Sequence, residues 1–131
     1  MSYSKYNAIP KIVDDIKFDS TVEADFYIHL KEELKRKRIK MFKPHQPFVI
    51  LEGYQISDFE IEGTKISRRK ASATKYIADF VVTYNNNFVA VIDVKGGLTT
   101  DVFKLKKKMF ELQYGIPIVE ARKRDGQWIY S

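Results

Sequence analysis

Two apolar runs dominate the hydrophobic pattern, Tyr76-Ile-Ala-Asp79-Phe-Val-Val-Thr-Tyr84 and Phe88-Val-Ala-Val-Ile-Asp93-Val94, with only three asparagines between them. Both are rich in β-branched and aromatic residues, and asparagine tolerates left-handed backbone angles, so the stretch predicts a β-hairpin with a short loop. Upstream, Ile12-Val13 and Ile16-Lys17-Phe18 around Asp14-Asp15 predict a shorter hairpin. Ser20-Thr-Val-Glu23 has the form of a capping box and leads into apolar positions Val22, Phe26, Leu30 and Leu34, which predicts a helix running to about Lys37. Residues 41–51 read as extended, and Pro44 and Pro47 restrict that segment to an edge strand or to the ends of one. Gly53 and Gly63 bracket residues 54–62, predicting a hairpin packed through Ile56, Phe59 and Ile61, and the following Arg68-Arg-Lys70 reads as an exposed basic loop. A second helix is expected over residues 100–114, capped by Thr99 or Thr100, stopped by Gly115 and buried through Val102, Leu105, Met109 and Leu112. Residues 116–121 give another strand, and Asp125-Gly126 turns the chain toward Trp128. The order predicts a single α/β domain with a central mixed β-sheet flanked by helices.

The two acids within the apolar runs are out of place. Aspartate is depleted in strands and costly to bury unpaired, yet Asp79 and Asp93 each interrupt a core-forming segment. A hairpin folded about Asn86 brings them level, and strand alternation puts Asp93 and Lys95 on one face with Val94 on the other. Two adjacent carboxylates repel, whereas a divalent cation between them removes the repulsion and accepts oxygen ligands of this kind. Lys95 then stands where it could hold a scissile phosphate or help to activate a water. The plainer alternative is an Asp93–Lys95 contact that only stabilises the sheet. Glu23 also has two readings: a Glu at the third helical position can close the capping box, or it can face the acids and contact metal or water. Gln46 could position a water or satisfy local backbone.

Composition narrows the chemistry. The chain has no cysteine and only two histidines, His29 and His45, so a metal site would have to be built from carboxylates, which suits Mg2+, with Mn2+ able to substitute. The 131 residues, 44% of them hydrophobic, suffice for one core. No apolar run is long enough for a membrane span and no signal peptide is apparent, so the expected location is intracellular, in the cytoplasm. A net charge of +6 and a pI near 9.4 fit a polyanionic partner. Arg68, Arg69, Lys70 and Lys75 in one segment, and Lys104, Lys106, Lys107 and Lys108 on the second helix, are the candidate phosphate contacts. A solvated loop and a solvated helix face are the alternatives.

With these residues in view, the chain resembles the PD-(D/E)XK nuclease superfamily, whose signature is an acid on one strand, acid-x-Lys on the next and often a Glu from a preceding helix. The matching residues are Asp79, Asp93, Lys95 and Glu23; Ala78 stands where the signature has proline. Phe18-Asp-Ser20-x-x-Glu23, Lys75-Tyr-Ile-Ala-Asp79-Phe, Asp93-Val-Lys-Gly96 and Phe103-Lys-Leu-Lys-Lys-Lys-Met-Phe110 further resemble small phage proteins related to junction-resolving endonucleases, over roughly residues 12 to 119. The resemblance implies a restriction-endonuclease-like fold and a magnesium-dependent endonuclease acting on branched DNA such as a Holliday junction. It also implies the Val94 backbone carbonyl as a further metal ligand, and a homodimer, because symmetric incision needs two sites. Two other classes stay open: a non-catalytic DNA-binding module, and a phage protein that binds and modulates a host factor.

Overall fold

The computed structural model describes residues 9–67 and 69–131. β1 (Lys11–Val13) and β2 (Ile16–Phe18) form the first hairpin, turned by Asp14 and Asp15 at φ 52° and 64°. Helix α1 (Thr21–Lys35) follows, with Ser20 as its N-cap accepting from the Glu23 amide, and it ends two residues before the expected Lys37, with Arg36 as C-cap. Its buried side is Glu23, Ala24, Phe26, Tyr27 and Leu30, while Leu34 is exposed, because the helix leans on the sheet through its first three turns only.

The central sheet has five strands in the order β11-β10-β9-β8-β3, where β3 is Ile39–Leu51, β8 Thr74–Tyr84, β9 Val89–Val94, β10 Ile118–Arg124 and β11 Gln127–Tyr130. β9 and β10 run parallel and the other neighbours antiparallel, so the sheet is mixed and the expected α/β domain is observed. β3, with its two prolines, is an edge strand as read from the sequence. The two sides of the sheet carry separate cores. One joins α1 to Phe80, Val82, Ala90, Ile92, Val94 and Ala121. The other joins helix α2 (Asp101–Tyr114) to Ile50, Tyr76, Ala78, Val91 and Ile118 through Phe103 and Phe110. Among the described residues no helix is long and apolar enough to cross a membrane.

Three expectations are corrected. Val102, Leu105 and Leu112 of α2 are 65%, 60% and 89% exposed, and only Met109 of the expected stripe packs on the core. The helix carries two apolar stripes, and the one with Phe103 and Phe110 faces the sheet because aromatic rings bury more area and find edge-on partners, Phe110 lying 5.1 Å from Phe48. The expected hairpin over residues 54–62 is instead the tip of a long one. β4 (Tyr54–Ile56) pairs with β7 (Arg69–Ala71) and β5 (Phe59–Ile61) with β6 (Thr64–Ile66), all continuing the β3–β8 register around a Glu62–Gly63 turn. Ile56, Phe59 and Ile61 are about half exposed on this arm rather than packed. Arg69 and Lys70 therefore lie on a paired strand rather than in a loop, and Arg68 is outside the described residues.

Candidate active site

The site forms where β8 changes face. Tyr76 and Ala78 point into the α2-side core but Phe80 and Val82 into the α1-side core, whereas an unbroken strand would keep all four on one face. The change falls at Asp79. Across from it β3 is distorted at His45, whose φ is 53°, between the Pro44–Phe80 and Gln46–Ala78 pairs. On the other side the β8–β9 ladder runs from Thr83–Val89 to Phe80–Ile92 and stops there. Asp79 replaces the missing strand contact with its side chain: Oδ2 accepts a hydrogen bond from the Val94 amide at 2.7 Å.

Glu23 arrives from the first turn of α1. Its amide donates to Ser20 Oγ at 3.2 Å, and its Oε2 accepts from the Asp19 amide at 3.1 Å, one residue beyond the usual capping-box partner. The same carboxyl, in a residue only 7% exposed, lies near enough to Asp79 to raise that group's pKa. Both readings of Glu23 are thus compatible with one conformation. Gly96 permits the approach, since a Cβ there would stand 3.0 Å from Val22 Cγ1, the neighbour of Glu23.

Asp93 lies on the α2 side and is 8% exposed. The Tyr76 hydroxyl donates to its Oδ1 at 2.9 Å, and Lys95 Nζ is 2.8 Å from its Oδ2. Lys95 Nζ also stands 3.2 Å from the centroid of the Phe103 ring. Burial holds the Asp79 carboxyl well above the usual carboxylate range, reinforced by the nearby Glu23 carboxyl and by the negative charge of Asp93, against the pull of the Val94 amide. Burial also raises Asp93, although the charge and hydrogen bond of Lys95 and the Tyr76 hydroxyl oppose it. Tyr76 is pushed up by burial and then by the neighbouring charge of Asp93. A cluster of acids whose ionisation is resisted in this way is a frequent mark of functional sites.

Among the described residues no three or more His, Cys, Asp or Glu side chains are grouped as a ready metal cage. The donor chemistry nevertheless suits a hard cation. Mg2+ commonly takes one or two carboxylates and keeps several waters, and Asp79 and Asp93 supply oxygen donors only.

The other candidates are dispersed. Gln46 donates to the Pro44 carbonyl at 2.9 Å, the local-backbone role. Lys107, read as a candidate phosphate contact, is bonded to Glu120 at 2.9 Å, and Lys106 reaches the Lys75 carbonyl at 3.3 Å. Lys75, Lys104 and Lys108 are exposed, as are Arg69 and Lys70 on the arm. Three neighbours of the site escaped the sequence reading: Tyr76, Phe103, and Glu120, which pairs with Asp93 across the parallel β9–β10 register. Phe103 sits in the quoted α2 motif, but nothing in its spacing points to Lys95; Glu120 could be found only by knowing that β10 lies beside β9.

No curated protein and no solved structure matches the chain. Residues 3–126 match a family described as "Protein of unknown function (DUF1064)", and the chain belongs to that family.

Proposed function

We propose that the protein is a metal-dependent endonuclease that hydrolyses DNA phosphodiester bonds. The observation that carries this reading is that the buried Glu23 and Asp93 and the partly buried Asp79 and Lys95 lie around the place where β8 and β9 stop pairing. Asp79 and Asp93 would hold Mg2+ or Mn2+, with the Val94 carbonyl as the resemblance implies; when bound, the ion supplies Lewis-acid stabilisation of the charge that develops on the phosphoryl oxygens. Lys95 would donate hydrogen bonds from its ammonium to the scissile phosphate oxygens, and Glu23 would orient the attacking water and take its proton. Lys75, Lys104 and Lys108 from α2 and its neighbour strand, with Arg69 and Lys70 from the arm, provide the exposed cations for the DNA backbone. Branched DNA as substrate, a homodimer carrying two sites and a cytoplasmic location complete the proposal.

One observation favours a second reading. Both oxygens of Asp93 already have donors, Tyr76 and Lys95, as a purely structural pair would, and this fits a non-catalytic DNA-binding module. Incubation with a labelled four-way junction, a linear duplex and single-stranded DNA, each in magnesium or chelator, separates the two. Chelator-sensitive cleavage, fastest on the junction, is expected; binding of DNA without cleavage in any magnesium arm would leave the module.

A further inference from the structure

The two donors on Asp93 are held very differently. Tyr76 is 3% exposed, with its ring centroid 5.7 Å from Phe110 and 6.4 Å from Phe103, so its hydroxyl cannot leave Oδ1 without drawing the ring out of the α2-side core. Lys95 lies just past the end of β9, on a long flexible stem, and its ammonium rests on the face of Phe103. An aromatic face attracts a cation through its quadrupole while the charge stays over the ring within about 6 Å of the centroid, and the ammonium at 3.2 Å has room to move inside that range. The ammonium can therefore shift away from Asp93 and keep that attraction.

We propose that Lys95 is a latch on the cation site: its ammonium competes with a divalent ion for Oδ2 of Asp93, and Phe103 retains it beside the site once it is displaced. This inference rests on the metal-dependent reading and adds to it an order of events among this chain's own groups. Two cations crowded on one carboxylate repel, so the hold of Lys95 on Asp93 lowers the affinity of that carboxylate for a metal ion. Displacement leaves a charged donor without its carboxylate, next to the place where a phosphate would lie. By linkage, a phosphate that takes up the ammonium then raises metal affinity by the same factor as metal raises phosphate affinity. Lys107 provides an internal contrast, since it is a lysine near the site whose partner is Glu120 rather than Asp93.

Calorimetric titration with Mn2+ alone, without DNA, tests the latch on the intact protein, together with a melting curve for each variant. Lys95→Met is expected to bind Mn2+ about tenfold more tightly than the wild type, and Lys107→Met to stay within about twofold of it. Should Lys95→Met fail to melt cooperatively, Lys95→Gln, neutral but still polar, is expected to show the same gain. Unchanged or weaker affinity in a folded Lys95 variant overturns the latch, and so does an equal gain in Lys107→Met, which would mark a general field effect. Absence of Mn2+ binding in both wild type and Lys95 variants would remove the cation site itself and, with it, the metal-dependent reading; loss of the latch alone leaves that reading standing.

Discussion

The two ends of the β8–β9 hairpin are built on opposite principles. At the turn end local hydrogen bonds close the backbone: the Tyr84 amide donates to the Phe88 carbonyl at 2.8 Å, the Asn87 amide donates to the Tyr84 carbonyl at 2.9 Å, and Asn86 Oδ1 accepts from the Phe88 amide at 3.0 Å. Asn87 takes the left-handed φ of 70° that a tight turn requires. At the other end the ladder stops, the strand changes face, Asp79 accepts from the Val94 amide, and Asp93 is paired with the Lys95 ammonium. The turn end is what folding alone would select. The acid end places carboxyls in strands and against a buried helix turn, where burial resists their ionisation, and the proposed cation site would account for that arrangement.

Disrupting the acid end should therefore cost activity and little stability. The largest effect is expected from Asp79→Asn and Asp93→Asn, each lowering the single-turnover cleavage rate by about a thousandfold or more, the equivalent of several kcal/mol of lost transition-state stabilisation. A variant cutting at near wild-type rate in magnesium would remove that residue from the site. Glu23→Gln comes next, with an expected loss of about a hundredfold and an almost unchanged melting temperature, since glutamine can still accept the Asp19 amide while losing the basicity that a water needs. A stable protein with normal rate would leave Glu23 with its capping role.

Stability should move the other way. The Asp79 carboxyl binds its proton more tightly folded than unfolded, where its value is near 3.8. Its cost to the fold is therefore absent below pH 3.8 and grows as pH rises toward the folded value. Asp79→Asn keeps an acceptor for the Val94 amide and abolishes that cost, so a gain of about 1 kcal/mol is expected at neutral pH. Urea unfolding of both proteins at pH 7 and near pH 4 checks the sign, because the gain should shrink at the lower pH. The smallest effect belongs to the turn end: Asn87→Ala should lower stability by about 1 kcal/mol, through strain at its left-handed angle, and leave cleavage unaltered.

How much of this was legible in the sequence follows from the same contrast. The turn end was, because asparagines between two β-branched runs admit few alternatives, and so was the stop at Gly115, at φ 70°, while of the two caps offered, Thr99 and Thr100, the structure uses Thr100. The edge position of β3 followed from its prolines. The change of face at Asp79 was hidden because Tyr76, Ala78, Phe80 and Val82 are all buried, so the alternation with more exposed residues runs on unbroken while the core it points into changes. The level placement of Asp79 and Asp93 came through regardless, since it depends only on the turn. In α2 two apolar stripes competed, and only the tertiary contacts of Phe103 and Phe110 decide between them. The pairing of Lys107 with Glu120 joins a helix to a strand 13 residues later, which no local pattern encodes.

The central claim is that Asp79 and Asp93 form a cation site, and calorimetric titration of Mn2+ into the wild type and Asp93→Asn, side by side, tests it most directly. The account predicts saturable binding by the wild type and a loss of at least about tenfold in affinity in the variant, whose amide oxygen is a poorer ligand than a carboxylate. Equal affinity in the two proteins, or no binding by the wild type, would contradict it.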